Sequence, residues 1–260
     1  MTRPGIAVDW IVPGWDAPSS VGGLVTTRLR PDAGSGEFDL GPVRLDTLDA
    51  GRRAEIVANR AFLAARLPSP PVWLEQTHGR DVAIVDEMTL GAFRANPPVA
   101  DAAVTRLPGV PVAIRVADCL PVFFTDDEGS VIAAAHAGWR GLAAGVLEAT
   151  IAAMSVDPAT LRAWLGPAIG ASAFEVGDDV VEAFLASDRD DIGCITPTRA
   201  GKWMADLAGL ARRRLAAAGL RRVYGGEHCT STDAARFFSW RRDRTPQRMA
   251  AVLWREAAGT

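Results

Sequence analysis

Residues 115–141 read RVADCLPVFFTDDEGSVIAAAHAGWRG. Two apolar runs flank Asp126-Asp127-Glu128-Gly129, which has turn composition, with glycine where a positive φ is often needed. The stretch therefore predicts an antiparallel hairpin. A two-residue loop at Asp127-Glu128 sets Cys119 directly opposite His136. Directly opposed side chains share a sheet face, with Cβ atoms about 4.5–5.5 Å apart. A thiolate and an imidazole at that separation reach one metal ion, since Zn–S is about 2.3 Å and Zn–N about 2.0–2.1 Å. A bulge at Gly129 would slip the register by one, and Pro121 interrupts the first strand, so the spacing permits the pair without requiring it.

Beyond His136 the chain runs through Ala137-Gly138-Trp139-Arg140-Gly141 into a helical segment. A strand that ends in a glycine-flanked turn at a helix start leaves backbone N–H groups free for an anion or a developing oxyanion. The plainer reading is that Gly138 and Gly141 let the chain turn tightly. Asp118, in a mostly apolar strand, is costly unless paired or beside a metal site. This favours a functional Cys119 over a small buried hydrophobe.

The chain holds three histidines. His136 is delivered by an apolar strand. His78 lies in Glu75-Gln76-Thr77-His78-Gly79, a strand-end or loop setting where functional groups tend to sit. His228 adjoins Cys229, and neighbours in an extended chain point to opposite faces, so both cannot readily serve one ion. His228 is left outside the ligand set, and Cys194 and Cys229 read as structural.

Composition is that of a globular protein: 260 residues, 48% hydrophobic and 23% charged. A net charge of -3 gives no whole-protein field for nucleic acid or an anionic membrane. The local exception is an arginine cluster, Arg236, Arg241, Arg242, Arg244 and Arg248. No apolar run is long enough to span a bilayer, because residues 110–124 carry Arg115 and Asp118 and residues 142–154 carry Glu148. Pro4, Asp9 and Pro13 break the N-terminal stretch MTRPGIAVDWIVPGW, so no export signal is expected. Three scattered cysteines argue against a disulfide framework and for a cytoplasmic thiol or metal ligand.

Helical periodicity covers 50–67, 142–154, 179–185 and 203–218. Strand patterns cover 24–27, 82–85, 112–117, 122–125, 131–135, 161–165, 222–224, 237–240 and 249–254. Residues 30–41 read as a loop and 67–71 as a turn. The irregular alternation favours an α+β fold, with mixed β-sheets packed against helices, over a barrel or a doubly wound sheet. No repeat or linker divides the chain, so 1–260 is expected to be a single enzyme domain.

Seven blocks occur in order: WLEQTHG (73–79), ADAAVT (100–105), RVADCLPV (115–122), AAAHAGWRGL (133–142), AWLGPAIG (163–170), FEVGDDV (174–180) and HCTSTDAARFFSWRRD (228–243). Together they resemble the YfiH-type family, variously described as laccase-domain polyphenol oxidases, purine nucleoside phosphorylases and peptidoglycan editing factors. The resemblance implies a single α+β domain and a zinc-ligand role for His78, Cys119 and His136. It implies phosphorolysis of adenosine, inosine and 5′-methylthioadenosine, and deamination of adenosine. Other members are described as copper-dependent phenol oxidases, or as hydrolases that remove mis-incorporated L-serine from UDP-MurNAc-L-Ser. The family's Gly-Gly-Val-Ser loop is Arg28-Leu29-Arg30-Pro31-Asp32 here, its Leu-Asn-Leu-Gly is Phe38-Asp39-Leu40-Gly41, and its Thr-Gly-Arg is Thr245-Pro246-Gln247-Arg248.

Three protein ligands leave a fourth tetrahedral position open, as in catalytic zinc sites, where bound water has a pKa of about 7. Zinc hydroxide would attack C6 of adenine in deamination. In phosphorolysis, phosphate attacks the anomeric carbon and needs a cationic fork, for which Arg140, Arg241 and Arg242 are candidates. Gln76 is a further substrate-side candidate, and Gln76 and Asp118 are nominees for acid–base work. The competing readings are a metal-free hydrolase with Cys119 as nucleophile and His136 as base, and a non-catalytic zinc- or nucleoside-binding module. For copper, His78, Cys119 and His136 supply a blue-copper ligand set. One spare histidine does not readily build the further centres that oxygen reduction needs. Small-molecule partners are expected, with neither nucleic acid nor membrane among them; oligomeric state has no signal.

Overall fold

The hairpin closes two residues away from the expected register. In the computed structural model, which describes residues 10–30 and 37–257, Pro121 pairs with His136 and Leu120 with Ala137. Asp126 causes the shift. Its carboxylate accepts from the Ser130 and Val131 backbone amides and the Ser130 hydroxyl, its carbonyl accepts from Gly129, and Gly129 takes a φ of +64°. Asp127 is drawn outward by Arg162 and Arg222. The loop is therefore wider than two residues. A shift of two preserves the side-chain face, so Cys119 stays on the side of His136 although it is not its direct partner.

The strands are β1 (Val21–Val25), β2 (Val72–Trp73), β3 (Val82–Val85), β4 (Ala102–Thr105), β5 (Val112–Val116), β6 (Leu120–Thr125), β7 (Ile132–Ala137), β8 (Arg162–Leu165), β9 (Glu175–Val176), β10 (Ile195–Arg199), β11 (Lys202–Ala205), β12 (Arg222–Gly225) and β13 (Met249–Arg255). The helices are α1 (Ala50–Ala64), α2 (Leu90–Ala95), α3 (Trp139–Ala143), α4 (Val146–Met154), α5 (Asp178–Leu185), α6 (Leu207–Ala217) and α7 (Trp240–Asp243).

A mixed six-stranded sheet runs β12-β8-β6-β7-β4-β3, and a mixed four-stranded sheet runs β1-β13-β5-β2. Their inner faces share one core: Phe123, Ile132, Ala134 and Trp164 from the first meet Val25, Ile114, Val116 and Leu253 from the second. The other face of the large sheet carries Val122, Phe124, Ala133 and Ala135 against Leu147, Ile151, Leu210 and Phe184 of α4, α6 and α5. Leu63 of α1 joins Leu24, Ala113 and Val252 on the outer face of the small sheet. The α+β expectation is met, with helices outside and two mixed sheets between them. Strand alternation puts 119, 121 and 123 on the inter-sheet face, together with 132, 134 and 136. Cys119 and His136 thus sit at the open end of the inter-sheet core.

Several boundaries moved. Residues 237–240 form no strand; Ser239 caps α7 through a hydrogen bond from the Arg242 amide, and Asp118 accepts from the Ser239 hydroxyl and the Arg241 amide. The 203–218 periodicity splits into β11 and α6, with Asp206 capping α6 through Gly209. The 142–154 helix is α3 plus α4, broken at Gly145 with φ +91°. β4 has only Val104 and Thr105 as β-branched residues, so its pattern was silent until neighbours on both sides buried it. No helix among the described residues is long and apolar enough to cross a membrane. Residues 31–36 of the expected 30–41 loop, and residues 1–9 of the stretch read for an export signal, lie outside the described residues.

Candidate metal centre

The three donors arrive from three different backbone settings. His136 is buried near the end of β7. Cys119 follows Asp118, whose φ is +90°, and immediately precedes β6. His78 is exposed at a turn with φ +61°. One ligand atom from each lies within 4.8 Å of the others. Cys119 Sγ is 3.7 Å from His78 Nε2, and the two imidazole centroids are 4.8 Å apart, inclined at 75°.

Asp101, fully buried, holds this arrangement. Its Oδ1 lies 2.7 Å from His136 Nδ1 and accepts from the His78 amide at 3.0 Å. Its Oδ2 accepts from the Gly79 amide at 2.7 Å, the Thr77 amide at 3.0 Å and the Thr77 hydroxyl at 3.2 Å. One carboxylate therefore orients the His136 ring and pins the left-handed turn that presents His78. With Nδ1 engaged, His136 turns Nε2 toward the site. This is the carboxylate–histidine support usual around metal-ligating imidazoles. In tetrahedral zinc, sulfur and nitrogen ligands lie about 3.6 Å apart, which the Cys119–His78 separation matches. The residues present fit a metal ion.

Glycine closes the site. A Cβ on Gly138 would stand 2.9 Å from His78 Cδ2 and 3.0 Å from Cys119 Sγ, and one on Gly141 would stand 2.6 Å from the Gly79 carbonyl. Neither glycine has a positive φ. Their role is close approach of α3 to the 78–79 turn, not a tight turn of their own. Without a metal, burial opposes ionisation of Cys119. The charge and hydrogen bond of His136, helped by His78, outweigh it and bring the thiol down to about 6. Burial likewise opposes a charge on His136, but the Cys119 thiolate and Asp101 raise it to about 9.

The triad opens into a cavity of about 460 Å³ lined also by Trp139, Phe174, Trp240 and five arginines, Arg115, Arg140, Arg241, Arg244 and Arg248. Arg140 stacks over Trp139 at 4.2 Å, Arg241 over Phe174 at 5.4 Å and Arg248 over Trp240 at 5.8 Å. Gln76 also lines it, with its amide locked to both backbone groups of Arg115 at 2.9 Å. Asp118 borders the cavity with both oxygens engaged by Thr230, Ser239 and the Arg241 amide, which leaves it bracing the Cys119 turn. Arg242 does not line the cavity. Its guanidinium donates to the carbonyls of Thr230, Ser231 and Phe237 and pairs with Asp243.

His228 lies elsewhere, 3.5 Å from Arg236. Cys229 accepts from the Gly170 amide, and Cys194 packs near Gly209. Sequence reasoning missed Asp101, Arg115, Arg248 and the aromatic lining. Asp101 had a signal, an aspartate opening an otherwise apolar strand, as Asp118 did.

A family model described as multi-copper polyphenol oxidoreductase laccase matches residues 33–256. The chain belongs to this family. The resemblance read from the seven blocks is thereby met. Purine nucleoside phosphorylase YfiH of Escherichia coli (strain K12) is 43% identical over 251 residues, covering 94% of this chain and 98% of that protein. A purine nucleoside phosphorylase of Xylella fastidiosa (strain Temecula1) is 45% identical over 251 residues, covering 94% and 96%. The crystal structure of Neisseria meningitidis protein NMB0706 superposes with a TM-score of 0.87 at 39% identity, over 96% of this chain and all of that one. That of YlmD from Geobacillus stearothermophilus superposes with a TM-score of 0.84 at 29% identity, over 97% and 98%.

Proposed function

We propose that this protein is a purine nucleoside phosphorylase whose site holds zinc on His78, Cys119 and His136. The observation that carries this reading is a three-donor set, braced by Asp101, at the floor of a cavity whose walls alternate aromatic rings with guanidinium groups. The names of relatives above 40% identity support the same reaction. When bound, zinc supplies Lewis acidity at a position that three protein donors leave open.

The chain's own residues do the rest. Trp139, Phe174 and Trp240 offer flat apolar faces to a purine. Arg140 and Arg241 present guanidinium forks for phosphate, whose oxygen attacks the anomeric carbon as the glycosidic bond to the base breaks. The stacked aromatics hold these forks in place before substrate arrives, so orientation is prepaid. Adenosine, inosine and 5′-methylthioadenosine are the proposed substrates, with deamination of adenosine as a side activity and the cytoplasm as the compartment.

A copper oxidase reading has one observation in its favour, the description of the family model. Among the described residues there is one cluster of three such ligands, and His228 stands apart from it beside Arg236. That ligand count favours the single-metal reading. The deciding experiment incubates purified protein with adenosine, inosine or 5′-methylthioadenosine, with and without phosphate, and identifies products by mass. Free base released only with phosphate is expected. Inosine formed from adenosine without phosphate would make deamination primary. Turnover of a phenol or a muramyl precursor, with none of a nucleoside, would overturn the reading.

A further inference from the structure

Two of the cavity's five arginines hold their charge in a way the phosphate fork does not explain. Arg115 is the penultimate residue of β5, opposite Ala250 of β13. Arg248 lies one residue before β13, so continuing the antiparallel register places it diagonal to Arg115 on the same sheet face. Both line the cavity that holds the triad. Gln76 clamps the backbone of Arg115, and Asp39 accepts from the amide of Arg248, so both stems leave fixed points.

Among the described residues, neither guanidinium pairs with a carboxylate. Arg115 donates to the carbonyls of Gly41 and Leu74, each at 3.3 Å, and among the described residues its buried Nε meets no acceptor. The Arg248 guanidinium donates to the nearby carbonyls of Thr245 and Gln247, at 3.2 and 2.8 Å, and lies over the Trp240 ring. The acids around them are engaged by others: Asp39 by the amides of Gly41 and Arg248 and by Arg52, Asp118 by Thr230, Ser239 and Arg241, Glu75 by Arg44. Burial, together with the charges of Arg60 and Arg248, lowers the pKa of Arg115 to about 10 against the opposing charge of Glu75. Two like charges gathered in a half-buried site, offset at a distance by Glu75, Asp39 and Asp118 while neither guanidinium pairs with them, are costly unless an anion completes them.

We propose that Arg115 and Arg248 form an anion subsite in this cavity that takes a phosphoryl group. The guanidinium pair suits its oxygens by paired N–H donation. The group is either free phosphate or a phosphomonoester on the nucleoside. The first source rests on the phosphorolysis reading; the second does not.

The test measures binding by calorimetry to the metal-loaded protein, with inorganic phosphate, adenosine and adenosine 5′-monophosphate as separate probes. Arg248→Gln and Arg248→Lys are compared with wild type. Arg189→Gln, at an exposed arginine outside the cavity, matches the charge change. Loss of one guanidinium should weaken the phosphoryl probe about tenfold or more, with the lysine variant intermediate. Adenosine affinity and metal content should hold, and Arg189→Gln should bind as wild type. Because Arg115 also ties two loops, Arg115→Lys is read alongside its melting temperature. Phosphate binding places free phosphate in the subsite; binding of the monophosphate alone places an ester there. If neither probe binds wild type, or both bind Arg248→Gln unchanged, the subsite is wrong. If phosphate binds and no nucleoside is cleaved, the subsite stands and the phosphorolysis reading fails.

Discussion

Asp101 Oδ1 lies 2.7 Å from His136 Nδ1 and 3.0 Å from the His78 amide, so one buried oxygen sets the orientation of two of the three donors. Across both oxygens, Asp101 meets five donors on His136, Thr77, His78 and Gly79. An asparagine offers one acceptor oxygen and one NH₂, so it opposes either the imidazole or the 77–79 turn. Asp101→Asn should therefore weaken zinc by about 10–100-fold, measured by competition with a chromophoric chelator. Unchanged affinity would remove Asp101 from the support of the site.

Gly138 and Gly141 separate two effects. Gly138→Ala places a methyl group against the ring of His78 and the sulfur of Cys119. It should lower metal content while shifting the melting temperature little. Gly141→Ala meets the backbone carbonyl of Gly79, which cannot swing aside like a side chain. It should destabilise the fold by about 1–3 kcal/mol in a denaturant titration. Equal behaviour of the two variants would count against close approach as the reason for both glycines.

Cys119 should be alkylated ahead of Cys194 once metal is stripped. His136 and His78 overcome burial and hold it near 6, so the thiolate predominates above that pH, including at pH 7. Burial and the neighbouring Asp206 raise Cys194, which should lag. Added zinc should protect Cys119. Peptide mapping after brief iodoacetamide treatment reads all three outcomes, and equal labelling with and without zinc would contradict a ligand role for the sulfur.

Asp118 braces rather than reacts. Asp118→Ala would leave the Thr230 and Ser239 hydroxyls and the Arg241 amide without their acceptor. A loss of about 2–4 kcal/mol in stability is expected. If the variant keeps its stability and loses turnover alone, Asp118 belongs to the chemistry after all.

Trp240 is 45% exposed at the cavity rim and stacks with Arg248. Trp240→Ala should raise KM for a nucleoside several-fold, the equivalent of about 0.5–1.5 kcal/mol of aromatic contact, with the melting temperature preserved. Unaltered KM would leave the purine on the Trp139 and Phe174 side.

Much of the site was legible along the chain because its determinants are local. The alternation that carries Phe123 and Ile132 inward also carries Cys119 and His136 to one face, and a slip of two residues leaves that parity intact. The helical and strand periods placed most elements, and the RVADCLPV and AHAGWRG blocks carried the ligands. His78 entered through the family resemblance, since a lone histidine in a turn has no period to betray its target.

What the chain could not announce are relations between residues far apart in sequence. The hairpin register depended on Asp126 folding its carboxylate back onto Ser130 and Val131. Asp101 carries no assignment in the sequence; its role appears only where β4 lies beside β7 and the 77–79 turn closes over it. Arg242 and Arg248 are six residues apart and alike in sequence, yet one is turned away to the carbonyls of Thr230 and Ser231 and the other faces the cavity. Composition and periodicity follow from neighbours along the chain and determine which segments are helix, strand and ligand-bearing turn. Which charged groups are satisfied, and which still need a partner, follows from packing across the chain, and only the tertiary structure decided it.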